Sequence, residues 1–196
     1  EHQVRDPGPT RDERLGRAQV LREDRRRETL RHAVVLRDRL GERVVRDHGP
    51  QALQYGSGQG LPRLREQILD VMALEGIRAS VDDVVVTTGS QHGLELVTKL
   101  FIDPGDVVLA EGPSYVTALV VFRSFQADVQ HVMTDEYGLV PDALREHIAA
   151  LKREGRRIKF LYTIPTFGNP SGVTMSWERR VEILEICRSE GILVLE

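Results

Sequence analysis

The stretch TTGSQHGLELVTKL, Thr87 to Leu100, joins the end of an apolar run to a helical pattern through Gly89, Ser90 and Gln91. Those residue types suit an anion. The first turn of a helix offers backbone N–H groups without intrahelical acceptors and the positive end of the macrodipole, and a glycine lets the main chain approach a phosphate closely. A serine at such a turn can equally be a helix N-cap and nothing more. Other polar and aromatic residues stand at similar punctuation: Tyr55-Gly56 upstream, Tyr115 downstream, and Asn169-Pro170-Ser171-Gly172 later. By residue type alone, Tyr115 reads as packing at a helix start and the Asn-Pro-Ser-Gly run as a turn.

The elements that must position these residues follow from the apolar pattern. Pro62 suits a first helical position, and Leu64, Ile68, Leu69 and Met72 form one face before Gly76 stops the helix. Val84 to Thr87 predicts a buried strand, Ser90 to Phe101 a helix, and Asp103-Pro104-Gly105-Asp106 a turn. Then come a strand at Val107 to Ala110, a helix at Tyr115 to Phe125 and a strand at Val129 to Met133. A helix at Pro141 to Arg153, a strand at Ile158 to Thr163, a helix at Ser176 to Glu190 and a strand at Ile192 to Leu195 complete the series. Apolar strands without alternation, separated by helices, predict an α/β three-layer sandwich with a mostly parallel sheet. In such sheets ligands gather at the carboxyl ends of strands, where Ser90, Gln91, Glu111 to Tyr115 and Pro165 to Gly172 fall.

An amino-terminal helical segment precedes this unit. Thr10 to Glu13 has capping-box spacing, and Leu15, Ala18, Leu21, Leu30, Ala33, Val34, Leu40 and Val44 recur at helical intervals. Residues 1–49 hold 13 arginines against 10 acids, a mixture that reads as a solvated or subunit-facing helix and makes nucleic acid an unfavoured partner. The division expected is a helical, arginine-rich segment over 1–49 and an α/β domain over 50–196, linked at His48-Gly49-Pro50. The 196 residues, 40% hydrophobic, contain no apolar run long enough to span a membrane and no secretory pattern, so a cytoplasmic location is expected. Cys187, the single cysteine, falls in the helical pattern of Val181, Ile183, Leu184 and Ile186 and reads as core.

Four segments in order resemble the fold type I enzymes dependent on pyridoxal 5'-phosphate (PLP), specifically class I/II aminotransferases of the 2-aminoadipate and kynurenine kind. They are LQYGSGQGLPRLRE (53–66), VVVTTGSQHGLELV (84–97), EGPSYVTAL (111–119) and YTIPTFGNPSGVTMS (162–176). The resemblance covers roughly residues 50–196, and so implies an incomplete PLP-binding large domain. It implies that Gly89, Ser90 and Gln91 hold the cofactor phosphate, that Tyr115 stacks on the pyridine ring, and that Asn169 donates to the phenolic oxygen. It further implies that Tyr55 reaches a partner subunit's phosphate, making the enzyme a homodimer, and that the substrates are an amino acid and a 2-oxo acid. His92, Trp177 and Glu178 read as structural.

The chain departs from the family in its lysines. Only Lys99, Lys152 and Lys159 are present, and none matches the aldimine lysine, so no catalytic residue is assigned within this chain. Glu196 is not put in place of the family's aspartate at the pyridine nitrogen. The resemblance implies that the lysine, that aspartate and two arginines lie beyond Glu196, and that the 196 residues alone are inactive. Asp6-Pro7-Gly8-Pro9 offers no clear equivalent of the family's amino-terminal loop. Two alternatives share the same motifs: a PLP-dependent lyase or decarboxylase, and the aminotransferase-like effector domain of a winged-helix transcriptional regulator.

Overall fold

A computed structural model describes residues 38–51 and 53–196. The capping box at Thr10, the apolar positions from Leu15 to Val34 and the Asp6 to Pro9 loop lie outside the described residues. The chain divides between Gly58 and Gln59 into two compact units.

In the first unit, residues 38–51 form helix α1. Leu40 and Val44, expected on one apolar stripe, are both exposed, and Arg43 pairs with Asp47 one turn on at 3.6 Å. The described helix runs through His48-Gly49-Pro50, where the sequence suggested a linker, to residue 51.

The second unit contains the sheet. Its elements are α2 (Pro62–Leu74), a 3₁₀ turn (Val81–Asp83), α3 (Ser90–Phe101), β1 (Val107–Gly112), α4 (Val116–Ser124) and β2 (Asp128–Asp135), followed by β3 (Gly138–Leu139), α5 (Pro141–Arg153), β4 (Ile158–Tyr162), α6 (Trp177–Ser189) and β5 (Leu193–Leu195). The strand order is β3-β2-β1-β4-β5, with every pairing parallel except β2 with β3. β1 lies at the centre because both of its faces are apolar. Successive side chains of a strand point to opposite faces. Val107 and Leu109 therefore enter one core with Leu144 and Ile148 of α5 and Ile183 and Cys187 of α6, and Val108 and Ala110 enter the other with Leu94 of α3 and Ala118 and Phe122 of α4. The result is the expected three-layer sandwich. Cys187 is buried, and burial pushes its thiol up to about 11, so it is core as read from the sequence.

One local expectation is corrected, and one element is new. Val84 to Thr87 is no strand: Val84 is buried but Val85 is half exposed, and Val86 N–H bonds instead to the Gln59 carbonyl at 2.9 Å. A strand needs a ladder partner, and no strand lies beside this segment among the described residues. The antiparallel β3 was not foreseen. It exists because Asp135 accepts a hydrogen bond from Tyr137 N–H and Gly138 takes φ +96°, closing a tight turn back onto β2.

The expected face of α2 is only partly buried, and its buried residue is Arg65. The guanidinium donates to the Val81 carbonyl and, at 2.9 Å, to Gln59 Oε1, tying the two ends of the segment that leads to Gly89. Gly60, at φ +99°, lies against Val86, where an added Cβ would meet the valine Cβ at 2.7 Å.

Candidate functional site

α3 begins at Ser90, so its N-cap is Gly89 and not Ser90. Gly89 takes φ +94° and ψ 169°, a region open essentially to glycine alone. No side chain caps the helix. The first backbone bond across its start runs from Gly93 N–H to the Gly89 carbonyl at 3.4 Å, leaving the N–H groups of Ser90, Gln91 and His92 directed outward from the turn. The volume beside Gly89 is open, with no atom within 4 Å of where a Cβ would sit. His92 stiffens the turn from within. Its Nδ1 lies 3.2 Å from the Thr88 N–H and accepts from it. The Gln91 side chain donates from Nε2 to Glu95 Oε1, one turn along the helix, at 3.2 Å.

Ser90 opens onto a cleft of about 640 Å³ at the carboxyl end of the sheet, and the same cleft is lined by Tyr115 and Asn169. Three residues far apart in sequence thus meet at one place. Leu94 and Val97 of α3, Ile164 and Leu195 give the cleft an apolar floor. Tyr162 and Glu196, which sequence reasoning did not assign to the site, also line it. The signal for Tyr162 was its position near the end of an apolar strand, at the sheet end where ligands bind. Burial raises its phenol to about 12, with the charges of Glu111 and Tyr115 adding to the effect, so it stays protonated at neutral pH.

Tyr115 sits at the N-cap position of α4, half-buried, and packs against the core beneath it. Asn169 rides on the loop of residues 165–175, which closes on itself: Met175 N–H bonds to the Pro165 carbonyl and Gly168 N–H to the Val173 carbonyl, both at 2.8 Å. At the end of β1, buried Glu111 accepts from Thr163 Oγ1 at 2.5 Å and Ile164 N–H at 3.3 Å, which fixes where that loop begins. Tyr55 belongs to the first unit and is fully exposed. Trp177 and Glu178 open α6 behind the Ser176 N-cap.

No lysine lines the cleft. Lys99 is exposed on α3, Lys152 pairs with Glu190, and Lys159 bonds to Asp106 at 3.0 Å below the opposite end of β1. Burial alone would raise the Asp106 carboxyl, but the Asp103 N–H and the Lys159 ammonium hold it below its ordinary value. A depressed carboxyl stabilises the fold above its unfolded pKa and ceases to do so as pH falls through the folded one. Lys159→Met is therefore expected to lower stability most at pH 7, with the gap to wild type closing below about pH 4. Urea unfolding at pH 7 and pH 3 checks this; a gap that is constant or wider at pH 3 would count against the pairing.

The model of the family described as aminotransferase class I and II matches residues 21–195. The chain belongs to that family. It is 37% identical over 158 residues to aromatic-amino-acid aminotransferase 1 of Thermococcus litoralis, an alignment covering 80% of this chain and 38% of the relative. It is 39% identical to the 2-aminoadipate transaminase of Thermus thermophilus, covering 79% of this chain and 36% of that protein. Among solved structures, the kynurenine aminotransferase of Pyrococcus horikoshii, solved in complex with PMP and with kynurenine as substrate, superposes with a TM-score of 0.76 at 35% identity, covering 84% of this chain and 40% of that one. The chain thus spans about two fifths of the length of these relatives.

Proposed function

We propose that this chain is part of a PLP-dependent aminotransferase that moves an amino group between an amino acid and a 2-oxo acid, residues 50–196 being part of its PLP-binding large domain. The observation that carries the reading is the convergence of Ser90, Tyr115 and Asn169 on one cleft at the carboxyl end of the sheet. The residues present suit the cofactor. A dianionic phosphate fits against the outward N–H groups of α3 and the Ser90 hydroxyl, beside the open volume at Gly89. Tyr115 supplies an aromatic face for a pyridine ring, and the Asn169 amide a donor for a phenolic oxygen. The neutral Tyr162 phenol and the apolar floor limit water beneath the ring.

When bound, the cofactor supplies an electron sink for the pair left behind as the amino acid loses its Cα proton. The residues of this chain bind and orient that group; its three lysines stand elsewhere, so none of them is assigned the covalent or proton-shuttling role. Tyr55 is proposed to reach the phosphate of a partner subunit in a homodimer, with both halves of the pair in the cytoplasm. The named relatives are aminotransferases, which favours this reading over the regulator and the lyase or decarboxylase.

Titration with pyridoxamine 5'-phosphate tests the reading, because that compound keeps the phosphate, ring and phenolic oxygen but has no aldehyde to react with exposed lysines. Saturable binding is expected, competed by inorganic phosphate. Tyr115→Ala should weaken it by about three- to tenfold, the worth of one aromatic stack. Binding that is absent, or indifferent to both Tyr115→Ala and Asn169→Ala, would overturn the reading.

A further inference from the structure

Asn169 is exposed, on a loop that crosses the surface, yet its proposed task requires a fixed amide. What fixes it is not obvious from the loop alone. Residues 165–175 leave the end of β4, turn through Gly168 and Gly172, and return to α6 at Met175. Gly168 is packed so closely that an added Cβ would stand 2.8 Å from Ser171 Oγ and 3.2 Å from the Ile164 carbonyl. A loop this tight stays closed only while its two legs are held together.

Arg180, on the first turn of α6, spans both legs. Its Nη2 donates to the Pro165 carbonyl at 2.8 Å and to Thr166 Oγ1 at 2.9 Å on the outgoing leg, while its Nε donates to the Met175 carbonyl at 3.0 Å on the returning one. Among the described residues this guanidinium bonds to no carboxylate, and its donors are directed at backbone and hydroxyl oxygens of the loop. The helix that carries it is seated in the core by Ile183, Ile186 and Cys187. Arg179, its neighbour, turns away to Asp135 and holds the β2–β3 turn instead. The two arginines therefore serve different loops, and a rigid planar fork is what lets Arg180 reach both legs at once.

We infer that Arg180 is a positioning residue for the proposed cofactor site: by bolting the two legs of the 165–175 loop to α6, it holds the Asn169 amide at the cleft without touching a ligand itself. This rests on the aminotransferase reading for its functional consequence, but not for its mechanical one.

The test uses Arg180→Met, Arg180→Lys and Asn169→Ala in the full chain. Amide hydrogen exchange at Gly168, Gly172 and Met175 should accelerate by about tenfold or more in Arg180→Met, since opening of the legs releases all three bonds, while β1 amides keep their protection. Arg180→Lys keeps the charge and the stem but cannot bridge both legs, so it should show the same acceleration; if Arg180→Met fails to fold, this variant decides. Pyridoxamine 5'-phosphate should bind Arg180→Met and Asn169→Ala with losses equal within about twofold, and combining the two should add nothing, because both remove one function. Unchanged loop exchange in a folded variant, or losses that multiply in the double variant, would overturn the inference. If the wild-type chain does not bind the compound, the cofactor reading falls, and the exchange measurement alone decides whether Arg180 holds the loop.

Discussion

Replacing Gly89 by valine is expected to weaken pyridoxamine 5'-phosphate binding by about ten- to a hundredfold. A non-glycine residue at φ +94° and ψ 169° carries roughly 1–3 kcal/mol of strain, and each 1.4 kcal/mol is a factor of about ten in affinity. The penalty is conformational, because an added Cβ at Gly89 would meet nothing beyond its chain neighbours within 4 Å. The chain can relieve it by rotating the turn, which would swing the Ser90 and Gln91 N–H groups away from the proposed phosphate position. If the turn instead stays as it is, the same 1–3 kcal/mol must appear as lost stability. Measuring affinity and urea unfolding on one preparation follows the penalty wherever it goes. Unchanged affinity together with unchanged stability would contradict the backbone argument.

That turn shows how far the sequence could be read. A glycine and a small polar residue between an apolar run and a helical pattern signalled the helix start correctly, but whether Gly89 or Ser90 was the cap depended on one dihedral angle. The same holds for the sheet. β1 was legible because its residues are apolar on both faces, which only a covered central strand tolerates. Val84 to Thr87 has an equally apolar composition and yet pairs with no strand, because a ladder is a property of two segments and only one was in view. β3, two residues long, carries too little pattern for periodicity to register.

The arginines were the least legible. Arg65 and Arg180 lie in charged helical stretches whose polar residues ordinarily face water, and nothing in their spacing separates them from neighbours such as Arg63 or Arg188. Their roles come from tertiary placement: Arg65 is buried against the Val81 carbonyl, and Arg180 bridges carbonyls 10 residues apart in the chain, at Pro165 and Met175. A carbonyl acceptor has no sequence signature, since every residue has one. Ser90, Tyr115 and Asn169, which line one cleft, stand out in the sequence because their motifs are local, while the side chains that hold those segments in place do not.

The structural counterpart of the Gly89 experiment lies beneath the cleft, at Phe122. Its ring is fully buried and meets Phe160 and Tyr162 edge-on, each at 5.4 Å between centroids and at angles of 71° and 76°. Phe122→Ala should destabilise the chain by about 3–5 kcal/mol, combining lost transfer energy with a cavity that the close-packed sheet cannot collapse to fill. Set against a total stability of roughly 5–15 kcal/mol for a protein domain, that is a large share. Phe122→Leu keeps much of the volume and should fall well short of it. The substitution also reaches the cleft, since Tyr162 lines it and loses an edge-on ring contact when the Phe122 ring is gone. A folded Phe122→Ala chain should therefore bind pyridoxamine 5'-phosphate more weakly, although residue 122 does not line the cleft. Urea unfolding and titration of both variants separate the two effects. A loss of less than about 1 kcal/mol for the alanine would mean that this part of the core can repack, and the cleft wall would then not depend on an edge-on cluster of three rings.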